Sequence, residues 1–71
     1  MTDAALLAAH AAGDHATVIR LYTAQGDAEE ARGDVDAACF YLTHAYVFAL
    51  ETNHASAPLL HARLKAAGRE E

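Results

Sequence analysis

The stretch FYLTHAYVFAL, residues 40–50, holds two Phe, two Tyr, two Leu and a Val, in a chain that is only 7% aromatic. Read as a helix, it is apolar on more than one side. Val35, Ala38, Leu42, Ala45 and Ala49 recur at helical spacing and define one face, widened by Cys39, Tyr46 and Leu50. Phe40, Val47 and Phe48 fall roughly opposite, with Tyr41 and His44 between the two faces. A helix with two apolar faces is flanked on both sides, unlike one lying on a surface. What covers the second face is therefore the question that links fold to function.

Working outward, the punctuation on either side repeats. Gly13-Asp14 and Gly33-Asp34 each pair a glycine suited to a left-handed helix end with an aspartate suited to cap the next helix. Asn53 and Gly68 are placed to end two further helices. Ser56 is placed to cap the last one, with Pro58 in its first turn. Alanine is abundant, β-branched residues are sparse and proline occurs once, all of which favour helix. The expected fold is all-α: a small antiparallel bundle in a single domain, with helices at about 3–12, 15–32, 35–52 and 57–67.

The second of these helices carries an apolar stripe of Val18, Leu21, Tyr22, Ala24, Ala28 and Ala31, with Ile19 beside it. It is expected to cover the first face of the third helix. Gly26 within it either lets another helix approach closely, the favoured reading, or breaks the helix. The fourth helix, with Leu59, Leu60 and Leu64, is the expected cover for the second face, but it is short. Burying a large apolar side chain is worth roughly 1.5–3 kcal/mol. Phe40, Tyr41, His44, Val47 and Phe48 are therefore the expected partner-binding surface, for another protein or for a second copy in a homodimer.

Tyr22 to Ala49 resembles one tetratricopeptide repeat, a helix–turn–helix unit of scaffold proteins. Tyr22 stands at the family's first large aromatic and Gly26 at its small close-packing position. Gly33-Asp34 stands at its turn, Asp36 and Ala38 at the start of its second helix, and Leu42 and Ala45 at the large and small positions that follow. Gln25 replaces the usual Leu, Glu29 stands where an aromatic is typical, and Pro58 comes later than the closing proline. The resemblance implies protein or peptide binding in a groove between helices. It carries over no specific binding residue.

Composition bounds the remaining options. The chain has 71 residues, a net charge of −5, 54% hydrophobic and 21% charged residues, and a single cysteine. A domain this small has a stability of only a few kcal/mol and no intrachain disulfide to add to it. The negative charge disfavours nucleic acid and anionic membrane as partners. No apolar run is long enough to span a bilayer, and the N-terminus lacks the basic segment of a secretory signal. With the lone Cys39, this reads as a cytoplasmic protein. Arginine outnumbers lysine four to one in an alanine-rich chain, the usage of a GC-rich bacterial gene.

Five histidines raise the question of metal. His10/His15 and Cys39/His44 are each five apart, about 140° round one continuous helix, a spacing that does not converge. Neither a metal site nor a cofactor is expected, and a metal-responsive role for His10, His15, His44 and Cys39 is the low alternative. Cys39 is expected as a small buried hydrophobe. No phosphate loop, nucleophile elbow or paired-carboxylate cleft is present, so no catalysis is expected. Asp27, Glu29, Glu30, Asp34 and Asp36 crowd the turn between the second and third helices and read first as solvated helix ends and caps; the sharper alternative is an acidic elbow of Asp27, Glu29 and Glu30 that docks a basic partner segment.

Overall fold

A computed structural model describes residues 3–69 of the chain. Among them are four α-helices and no strand: α1 (Asp3–Ala12), α2 (His15–Ala31), α3 (Val35–Glu51) and α4 (Ala57–Ala66). The helices pack in chain order, α1 on α2, α2 on α3 and α3 on α4, into a flat bundle of 33 × 26 × 12 Å. Among the described residues, no helix is long and apolar enough to cross a membrane.

The two Gly-Asp pairs do the work expected of them. Gly33 adopts a left-handed φ of 83°, which an L side chain resists. The Asp34 N–H then reaches back to the Glu29 carbonyl at 3.0 Å, closing the end of α2. The Asp34 carboxylate turns forward and accepts from the Ala37 N–H at 3.0 Å, opening α3. Asp14 does the same for α2, accepting from the Thr17 N–H at 3.2 Å and the Thr17 hydroxyl at 2.6 Å. These bonds, with smaller help from Arg20 and His15, hold the Asp14 carboxyl below its ordinary pKa. The last cap differs from expectation. Ser56 occupies the N-cap of α4 but makes no capping bond with its side chain. Its hydroxyl lies 2.8 Å from His54 Nδ1, and its N–H donates to the same nitrogen at 3.1 Å.

The core is one cluster: Ile19 from α2, Cys39, Leu42, Ala45 and Ala49 from α3, and Leu60 and Leu64 from α4. Alanines on α3 keep the helices close, and Gly26 closes the gap further. A Cβ there would lie 2.9 Å from both Cγ and Cδ2 of Leu42, so the close approach expected of this glycine is real. The stripe on α2 is corrected toward its N-terminal half. Val18 and Ile19 are buried, whereas Ala24, Ala28 and Ala31 face solvent. The helix turns its Gly26 and Glu29 side inward instead. On α3, Val35 and Leu50 were placed on the inward stripe but are 51% and 55% exposed. They lie in the first and last turns of the helix.

The role expected of α4 is corrected as well. Leu60 and Leu64 join the cluster on the first face of α3, and Tyr46 of α3 stacks on His61 at 5.5 Å. The fourth helix therefore widens the existing core and leaves the second face uncovered.

Candidate interaction surface on α3

The second face of α3 stands open because both neighbouring helices use the first. Phe40 is 58% exposed and Val47 46% exposed, and Thr43 and His44 between them also face solvent. Tyr41 and Phe48 are half-buried at its margins. Of the five residues expected on a binding surface, Phe40, His44 and Val47 form the open ridge, while Tyr41 and Phe48 buttress it.

The ridge is held by ring contacts. His44 lies between Phe40, at 4.6 Å, and Tyr22 of α2, at 5.4 Å and nearly parallel. Its Nδ1 is 2.8 Å from the Phe40 carbonyl. A carbonyl only accepts, so Nδ1 carries the proton and donates. Tyr41 meets Phe40 edge-on at 5.2 Å. At the other end, Phe48 receives His10 of α1 edge-on at 5.5 Å and His15 of α2 at 5.4 Å. The two histidines expected to diverge thus meet on one phenyl ring. The 140° argument assumed a continuous helix, whereas the Gly13 turn places the two residues on different helices. Among the described residues, no three His, Cys, Asp or Glu side chains converge in a way that could hold a metal ion. Cys39 is buried, as its place on the first face implied.

Two shallow grooves run along this face and share Thr43 and His44. One, of about 260 Å³, lies between α1 and α3 over Tyr22, walled by His10, Val47 and Phe48. The other, of about 360 Å³, continues past Phe40 to Cys39, Asp36 and Arg69. Both are mainly apolar. Arg69, 33 positions from Asp36, bonds to its carboxylate, a pairing that helical spacing could not reveal. That bond holds the guanidinium more firmly protonated than usual. Thr43 and Tyr22 were also missed as lining residues, although helical spacing from Phe40 points to Thr43.

The carboxylates of the expected acidic elbow are engaged within the chain. Glu29 is buried and accepts from Arg32 at 3.0 and 3.1 Å and from Gln25 at 3.2 Å. Arg63 of α4 reaches Asp27 at 2.6 Å and Glu30 at 3.6 Å. These three acids fasten the helix end and α4. Asp27 and Glu30 remain partly exposed, but Arg63 supplies the cation that a docking segment would have brought.

Comparison of the chain with protein-family models, with curated proteins and with solved structures gives no match.

Proposed function

We propose that the chain is a non-catalytic protein-interaction module or small accessory subunit, working in the cytoplasm, whose binding surface is the outer face of α3. One observation carries this reading. Phe40 and Val47 stand open on a helix whose opposite face is the most buried part of the molecule. Leaving such side chains in water forgoes roughly 1.5–3 kcal/mol each if fully buried. That is a large fraction of what so small a domain can hold. Their use by a binding partner accounts for the arrangement. The ridge is also preorganised, because His44 is fixed by its bond to the Phe40 carbonyl and by its two ring contacts. Binding to it costs little side-chain ordering. The likeness of residues 22–49 to a tetratricopeptide hairpin supports the same reading, since the Gly26–Leu42 approach is the packing such a hairpin requires.

A photo-crosslinking phenylalanine analogue at position 40, with the same analogue at exposed Ala28 as control, tests this in the cells that make the protein. A discrete crosslinked species at position 40 that is absent at position 28 is the expected result. Equal or absent crosslinking at the two sites would overturn the proposal.

A further inference from the structure

We propose that His54 is a pH-sensitive latch on α4: its neutral ring holds the turn between α3 and α4 closed, and protonation of that ring releases the first turn of α4. Three groups of this residue hold the turn. Asn53 adopts a left-handed φ of 54°, and the His54 N–H reaches back to the Ala49 carbonyl at 2.8 Å, closing α3. The His54 carbonyl accepts from the Ala57 N–H at 3.2 Å. The ring supplies the third contact. Its Nδ1 takes the Ser56 N–H at 3.1 Å and lies 2.8 Å from the Ser56 hydroxyl. The ring thus does for α4 what the Ser56 side chain does not, since that side chain makes no capping bond.

A backbone N–H only donates, so Nδ1 accepts, and the proton of the neutral ring sits on Nε2. An imidazolium has no acceptor left. On protonation the hydroxyl contact can reverse, with Nδ1 donating to Ser56 Oγ. The backbone contact cannot, and two N–H groups then face each other at the start of α4. The new cation also sits at the positive end of that helix. The charged neighbours do not compensate. Arg20 and Asp27 of α2 line the same groove, of about 290 Å³, as His54 and Ser56. Arg20 adds positive charge, and Asp27 is already paired with Arg63 of α4 at 2.6 Å. The end of α3 favours a cation, but the carbonyls of Phe48, Ala49 and Leu50 already take the N–H groups of Thr52, His54 and Asn53. Glu51, in the last turn of α3, is exposed and screened by solvent.

Histidine changes charge between about pH 5 and 8. A folded chain that keeps His54 neutral binds fewer protons there than the unfolded chain, so this contribution to stability is present at the upper end and lost as pH falls. Leu60, one turn into α4, belongs to the core cluster on the first face of α3. The latch therefore governs the cover of that face.

His54→Asn isolates the effect, because an Asn side-chain oxygen accepts from the N–H two residues on and does not titrate. Thermal unfolding of the two proteins from pH 8 to pH 5 cancels the other four histidines, which both retain. The melting temperature of the unaltered chain should fall relative to His54→Asn by about 4 °C or more over that interval, the equivalent of one hydrogen bond. Hydrogen exchange places the change. Protection of the Ser56 and Leu60 amides in the unaltered chain, corrected for the intrinsic pH dependence, should drop about fivefold between pH 8 and 5, and not in His54→Asn. A constant gap in melting temperature overturns the latch. So does a gap that moves the other way, or one that changes while Ser56 and Leu60 keep their protection.

Discussion

Gly26 shows how much one missing atom group decides. Alanine is a better helix former than glycine by about 1 kcal/mol, so a substitution judged by propensity alone would stabilise α2. The added Cβ, however, would lie 2.9 Å from Leu42 Cγ, an atom buried in the core and unable to swing aside. Overpacking of this kind costs about 1–3 kcal/mol, and the packing term is the larger. Gly26→Ala should therefore lower the melting temperature by several degrees. In a Leu42→Ala background the same change should be neutral or stabilising, because the obstructing side chain is gone. Thermal unfolding of the four proteins checks both statements. Asp14 gives a pH prediction. Its carboxyl is held below its ordinary pKa by the Thr17 bonds, so the cap contributes fully above the ordinary aspartate range. That contribution is lost as pH falls through the lowered folded value. Asp14→Asn keeps a capping oxygen without the titration, and should show a shallower fall in melting temperature below about pH 4. Positions such as these were readable in advance, since left-handed turns and caps are local. Glu29 was not. Its burial depends on Arg32 and Gln25 folding over it, which no periodicity reveals.

At the scale of the element, all four helices were legible within a residue or so, because Gly13, Gly33 and Asn53 end them with left-handed turns. Which faces meet was less legible. The α4 leucines were expected on the second face of α3, yet the first face offers Ala45 and Ala49, small residues that admit a neighbouring helix. Small residues on one side and large rings on the other decide where a short helix can approach. Leu60 and Leu64 should then matter far more than their neighbour Leu59. Replacing either with Ala should cost about 2–5 kcal/mol, enough to unfold most of so small a domain, whereas Leu59→Ala, at 67% exposure, should stay within about 0.5 kcal/mol. Urea titration of the three variants at fixed temperature separates these outcomes. The turn between α2 and α3 gives a smaller effect. Asp34→Ala should cost about 1 kcal/mol through loss of the α3 cap.

For the whole molecule, the opening question about residues 40–50 has a structural answer in two parts. The first face is covered by α2 and α4. The second is bordered by α1 through His10 and Phe48, but Phe40, Thr43, His44 and Val47 stay open. The sequence showed that two apolar faces exist, because that depends only on helical spacing. It could not show which one the chain would cover, nor that Arg69 would return to Asp36 beside the open face. Those features arise from contacts distant in sequence. The central claim is that the open face of α3 is a binding surface. The most direct measurement is crosslinking, in the cells that make the protein, from a photoreactive phenylalanine analogue at position 40 and at exposed Ala28. A discrete crosslinked species at position 40 that is absent at position 28 is the result expected. Equal or absent crosslinking at the two positions would contradict the claim.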